Sequence, residues 1–305
     1  MKRTELICFF GNRTRYESCL LQFQFENIEI VYASSEKDIQ IQAKAATGIW
    51  VELGIFVDRN LLEQFPSLRH VITSTTGVSH IDVSYLQERN IRLISLQDFP
   101  EITKKITSTS ELTWLLVMAL WRKLGLNQVH SQPSFQAIAA KREENLGRQL
   151  IDYSIGIVGF GRIGRSICEY ASVFGMRVGW FDPHKEESGA PNERITRYTD
   201  LQRLVTTSDI IVIAASLNKG SMNLFDRQLL SCMKKDAVIV NTGRASLWDE
   251  CAVSHLLTSG KIGGVGVDVY SFEENINQEC SCLFDVDSSI FNIIRTAHIG
   301  GATHD

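Results

Sequence analysis

The sequence lacks any basic excess: 31 Lys and Arg stand against 35 Asp and Glu, a formal net charge of −4. Without a positive face to neutralise phosphates, nucleic acid is not expected as a partner. Long apolar runs are missing as well. The longest, Leu112 to Trp121, is ten residues and meets Arg122 and Lys123 at once, whereas a bilayer span needs about 20. It reads as a buried helix, and no membrane partner is expected. The start, MKRTELICFF, carries an apolar run too short for a signal-peptide core, so the expected location is cytoplasmic. Cysteine is sparse and scattered. Of seven, only Cys280 and Cys282 lie close together, and neither a second pair nor a nearby histidine completes a ligand set. Reduced thiols and no metal are therefore expected. Internal repeats and low-complexity tracts are absent too.

What is present suits two soluble domains. The chain has 305 residues, 44% hydrophobic and 22% charged, room for two cores of ordinary size. Strand-like segments open it: Leu6–Phe10, Ile28–Ala33, Gly48–Leu53, His70–Thr75 and Ile91–Leu96. Polar helical stretches separate them, among them Ser34–Ala46 and Asp82–Arg89. Crossovers of that length imply a parallel sheet with helices on both faces. A helix follows over residues 108–124, where Ser108 and Glu111 have capping-box spacing. Residues 125–150 carry few apolar anchors and read as a connecting excursion. Strands then alternate with helices again: Ser154–Val158, Arg177–Phe181, Ile210–Ala214, Ala237–Asn241, Gly264–Val269 and Ile293–Thr296. The expected fold class is α/β, two Rossmann-like or flavodoxin-like domains with parallel sheets and a cleft between them. The expected division is 1–100 for a substrate domain and 101–298 for a nucleotide domain that includes the helix 108–124. Residues 299–305 begin a return toward the first.

The sharpest local signal is IGIVGFGRIGRS, Ile155 to Ser166. A β-branched run leads into Gly159-x-Gly161-x-x-Gly164, and Asp182 follows at the end of the next strand. Strand, tight turn, helix and distal carboxylate together form the dinucleotide fingerprint. Gly159 permits the sharp turn, Gly161 lets the backbone approach a pyrophosphate, and Gly164 lets helix pack on strand. Amide donors at the helix start face the phosphates, and Arg162 can reach a phosphate oxygen. Asp182 would accept from the adenosine ribose hydroxyls and repel a 2′-phosphate, which favours NAD over NADP.

Three later segments add candidate chemistry. VIVNTGRASLWDE presents Arg244 after a strand, GGVGVDVYSFEE places Asp268 and Glu273 after another, and IIRTAHIGGATHD leads to His298. Taken singly, each has an ordinary reading, since a loop arginine or carboxylate is generally solvated and a strand-end histidine generally structural. Their shared place is the informative point. All three follow carboxyl ends of parallel strands, where open α/β sheets bind ligands.

These segments, in order, resemble the D-isomer-specific 2-hydroxyacid dehydrogenases. TSTTGVSHIDVSYLQERNIRLISL and STSELTWLLVMALWRKL are similar to the family's first-domain turn and interdomain helix, and NTGRASLWDE, GVGVDVYSFEE and AHIGGAT to its arginine, glutamate and histidine segments. The resemblance covers nearly the whole chain. It implies an NAD-dependent oxidoreductase that interconverts a small D-2-hydroxy acid and its 2-oxo acid. Arg244 would grip the substrate carboxylate through a fork a lysine lacks. His298 would be the acid/base, with Glu273 bonded to the imidazole and favouring its charged form. Gly159, Gly161, Arg162, Ile163, Gly164, Asp182, Thr242, Gly243 and Asp268 would contact the cofactor, Asp268 near the nicotinamide amide. Thr76 and Gly77 would offer backbone groups to the substrate. A homodimer built through the nucleotide domain is also implied.

Some positions depart from the family. Glu274 stands where it usually has proline, Ala297 replaces a proline before the histidine, and Ala214 and Ser216 stand where it often has His and Pro. Family members also continue beyond the histidine segment with a helix that packs back on the first domain. Here the sequence given stops at Asp305. The expectation is a first domain without that helix, in a shortened form, in a fragment, or in a domain that manages without it. The alternative function is a non-catalytic NAD(H)-binding sensor or an inactive relative.

Overall fold

The computed structural model describes residues 5–10, 28–32, 43–52, 54–129, 134–186, 193–273 and 280–303. The chain divides into two compact units, Met1–Lys105 and Ile106–Asp305.

The first unit is a five-stranded parallel sheet. Its strands are β1 (Glu5–Phe10), β2 (Ile28–Tyr32), β3 (Gly48–Val51), β4 (His70–Thr73) and β5 (Arg92–Ile94), in the order β2-β1-β3-β4-β5. This is the flavodoxin-like order, with the direction of winding reversing beside β1. Helices α1 (Arg59–Glu63), α2 (Val83–Glu88) and α3 (Pro100–Thr103) lie between and after the later strands. Asp58 and Asp82 start the first two by accepting from Leu61 N and Tyr85 N at 2.8 and 2.9 Å. Ile49, Val51, Val57, Leu62, Phe65 and Val71 close the core without measurable exposure. The five expected strands are all present. Most of the expected helix Ser34–Ala46, and Leu53, lie outside the described residues.

The second unit opens with helices α4 (Ser108–Trp121) and α5 (Phe135–Glu144). Seven parallel strands follow: β6 (Ser154–Val158), β7 (Arg177–Phe181), β8 (Ile195–Arg197), β9 (Ile210–Ile213), β10 (Val238–Asn241), β11 (Gly264–Val267) and β12 (Ile293–Arg295). Their order is β12-β11-β10-β9-β6-β7-β8, so the switch point lies between β6 and β9. Helices α6 (Arg162–Val173), α7 (Leu201–Thr207), α8 (Arg227–Ser231) and α9 (Glu250–Thr258) form the connections. Every residue of β9, β10 and β11 is buried, which is why these strands read as unbroken apolar runs.

Helix α4 is largely buried. Trp114, Leu116, Val117, Leu120 and Trp121 are each at most 8% exposed, because the helix packs on β10 and β11 and also against α6. At about 1.5–3 kcal/mol per large apolar side chain buried, this helix is a major part of the unit's core. Among the described residues no helix is long and apolar enough to cross a membrane.

Four expectations are corrected. Residues 125–150 contain α5, which buries no side chain and so shows no apolar periodicity. The short strand β8 and helix α8 are additional. The capping box expected at Ser108 and Glu111 does not form: the N-cap is Thr107, with helical φ and ψ of −104° and −14° and no side-chain cap. Its hydroxyl instead donates to Glu111 Oε1 at 2.6 Å. Finally, the thiols are not all reduced. Cys251, on α9, is joined by a disulfide to Cys282, their Cα atoms 5.3 Å apart. A separation of 31 residues hides such a pair from any spacing rule.

Candidate active site

The glycine turn connects β6 to α6 at the switch point. Gly159 has φ of +92°, and a Cβ there would lie 2.5 Å from Ala215 Cα, at the exit of β9. Glycine is thus required twice over, by conformation and by space. A Cβ on Gly164 would stand 2.1 Å from Gly159 O, so helix and turn pack backbone on backbone. Gly161 is different. It is the N-cap of α6 without a side-chain cap bond, and a Cβ there would meet nothing within 4 Å. The backbone at the start of α6 is therefore open to close approach at Gly161, the arrangement that suits a pyrophosphate. Phe160 stacks on Trp180 at 4.2 Å with Arg165 over its other ring face at 5.0 Å, fixing the turn.

Asp182, just past the end of β7, also holds this turn. Its Oδ2 accepts from Phe160 N and its Oδ1 from His184 N, each at 2.9 Å. Arg162 donates from Nη1 to Ile106 O, before α4. Burial pulls its guanidinium below the usual arginine value, and its remaining donors are the ones left for a phosphate.

Strands β10, β11 and β12 are neighbours in the sheet, and each ends in one of the three chemical segments. At the end of β10, Asn241 is fully buried. It accepts from Gly243 N through Oδ1 and donates from Nδ2 to Arg244 O, each at 3.0 Å. The turn Thr242–Gly243 is closed by the residue before it, and Arg244 is aimed by the same side chain. Arg244 Nη1 donates to Gly243 O at 2.7 Å. Thr242 Oγ1 lies 2.6 Å from Thr113 Oγ1 of α4, a buried link between that turn and the long helix.

After β11, Asp268 is 1% exposed, and a short 3-10 turn, Ser271–Glu273, carries Glu273. Buried Glu250, at the start of α9, fastens this turn: its two oxygens accept from Ser271 N at 2.9 Å and Ser271 Oγ at 2.8 Å. After β12, His298 adopts φ of +53°. Its Nδ1 lies 2.6 Å from Glu273 Oε2, both side chains about one-fifth exposed. Fixing Nδ1 on a carboxylate leaves Nε2 as the working nitrogen. The sheet thus joins glutamate and histidine directly and sets the arginine turn on the adjoining strand. Glu274 lies outside the described residues.

Thr76 and Gly77 follow β4 in the first unit. Gln97 Nε2 donates to Thr76 O, and Thr75 Oγ1 donates to Gly77 O at 2.7 Å. The two carbonyls each accept one hydrogen bond, which ties down the turn.

Asn241, Glu250 and the Thr113–Thr242 link were not legible as site residues. Only Asn241, a polar residue closing a buried strand, offered a local signal.

Comparison with known proteins identifies the relatives of this chain. Residues 114–300 match the family described as D-isomer specific 2-hydroxyacid dehydrogenase, NAD binding domain, and residues 7–103 match its catalytic domain. A glyoxylate reductase of Pyrococcus furiosus is 32% identical over 250 residues, 82% of this chain and 71% of the relative. A hydroxypyruvate reductase of Thermotoga maritima is 27% identical over 94% of this chain and 89% of its own. The fold is similar to that of Aquifex aeolicus D-lactate dehydrogenase, solved with NAD and lactic acid. That similarity has a TM-score of 0.77 and 24% identity, over 98% and 90% of the two chains.

Proposed function

This chain belongs to the D-isomer-specific 2-hydroxyacid dehydrogenases, and on that premise we propose that Arg244, Glu273 and His298 carry its chemistry. It is an NAD-dependent oxidoreductase that interconverts a 2-hydroxy acid and the corresponding 2-oxo acid. The observation that supports these three residues best is the 2.6 Å contact of His298 Nδ1 with Glu273 Oε2, beside the strand that leads to Arg244.

NAD supplies the hydride acceptor, and NADH the donor. The open N-terminus of α6 and the turn Gly159–Gly164 fit its pyrophosphate, Asp182 its adenosine ribose, and Thr242 and Gly243 the cofactor farther along the sheet. Arg244 pairs its guanidinium with the substrate carboxylate. In reduction, protonated His298 gives the Nε2 proton to the oxygen formed from the carbonyl; in oxidation, neutral Nε2 takes the hydroxyl proton. Glu273 holds the ring on Nδ1 in both directions.

Small, unbranched 2-oxo acids are the proposed substrates, since the relatives at 32% and 27% identity are named for glyoxylate and hydroxypyruvate. A cytoplasmic homodimer completes the reading. Leu115 and Leu124, in and just after α4, and Val173 at the end of α6 are 57%, 54% and 85% exposed, apolar surface that a second copy would cover. Light scattering should then give twice 34.3 kDa; a monomer at micromolar concentration contradicts the dimer. The catalytic assignment is tested by NADH oxidation with glyoxylate, pyruvate, hydroxypyruvate and longer 2-oxo acids. Turnover of at least one is expected. NADH binding without turnover of any would refute it.

A further inference from the structure

A histidine in the left-handed region needs something to hold it there, because a Cβ crowds the backbone in that conformation at a cost of about 1–2 kcal/mol. At His298 the holder is Asp268. Its Oδ1 accepts from Thr296 Oγ1 at 2.5 Å and from Ile299 N at 2.9 Å, and its Oδ2 accepts from Gly300 N at 2.8 Å. These three donors bracket His298 on both sides. Two further hydroxyls secure the same turn: Tyr270 Oη donates to Thr296 O at 2.8 Å, and Thr109 Oγ1 to Gly300 O at 3.0 Å. The fit is close, since a Cβ on Gly300 would stand 2.9 Å from Asp268 Oδ2.

We propose that Asp268 is a positioning residue, whose carboxylate clamps the turn Thr296–Gly300 and thereby aims the His298 imidazole at Glu273. The inference rests on the reading of His298 as the acid/base and gives Asp268 a different task from the nicotinamide contact that family resemblance implies. A carboxylate offers about four acceptor sites; three are taken here, and the group is 1% exposed. A buried carboxylate so bonded is best matched to the donors it already has.

The test is Asp268→Asn in the full chain. The isosteric amide keeps one accepting oxygen but turns an NH2 toward a backbone N–H, so the clamp opens. With 2-oxo acid at saturation, kcat should fall about 100-fold, the loss expected from a misplacement of roughly 1 Å. NADH affinity by fluorescence should stay within about two-fold. In 15N-histidine-labelled protein without cofactor, the His298 imidazole signals should move from their wild-type positions. Loss of NADH affinity in step with kcat/KM, with the His298 signals unmoved, would overturn the proposal in favour of a cofactor contact. Unchanged kcat and signals would overturn it outright. Should Asp268→Asn fail to fold, Thr296→Val removes one donor without touching the charge; it should lower kcat while leaving NADH affinity intact, and an unchanged kcat counts against the clamp. The labelled-histidine measurement is independent of turnover. An inactive wild type would therefore refute the enzyme reading while the His298 signals still judge the clamp.

Discussion

At the scale of single residues, charge and geometry separate the roles of two groups. Arg244→Lys keeps the positive charge but loses the planar fork, so substrate binding suffers more than the chemical step. A rise in KM of ten-fold or more with kcat within a few-fold is expected from steady-state kinetics; equal losses in kcat and kcat/KM would point to a transition-state role instead. Asp209, just before β9, shows how a carboxylate serves stability. Burial pushes its carboxyl up, but Lys234 Nζ at 2.8 Å and the Ser154 hydroxyl and amide at 2.6 and 2.9 Å outweigh this and leave it below the usual value. A folded-state pKa below the unfolded one means stability present above about pH 4 and lost as pH falls through the folded value. Asp209→Asn should therefore cost about 1–3 kcal/mol near neutrality, and its denaturant midpoint should converge with wild type in acid. A constant gap down to pH 2 would contradict this.

Elements depend on packing, and two of them make testable claims. Leu120 is 1% exposed between α4 and β11, so Leu120→Ala should destabilise the protein by about 2–5 kcal/mol; a midpoint shift equivalent to under 1 kcal/mol would mean that the helix is less tightly held. The disulfide of Cys251 and Cys282 closes a loop of 31 residues, worth about 3–4 kcal/mol in the chain-entropy account. Dithiothreitol should lower Tm by several degrees in wild type and not in Cys251→Ser, and equal behaviour of the two would refute the link. The glycine turn, the strands beside it and the three strand-end segments were legible because each is a contiguous pattern. The supports were not. Glu250 grips a residue 21 positions away, and Thr113 meets Thr242 across 129. Such pairings arise from the order of strands, which no local periodicity encodes. Helix α5, without a buried face, left no pattern to read.

For the whole molecule, the second unit is built on a single parallel sheet, and the proposed function sets nucleotide binding at its switch point and proton transfer at the ends of β11 and β12. The first unit repeats the parallel plan on five strands and carries the Thr76–Gly77 turn. The most direct measurement is single-turnover consumption of NADH with a 2-oxo acid, comparing wild type and His298→Ala, with NADH affinity measured on both. The loss of a positioned acid/base should slow turnover by about 100- to 10,000-fold while NADH affinity is unchanged. Turnover of His298→Ala within a few-fold of wild type would contradict the assignment of proton transfer to the Glu273–His298 pair.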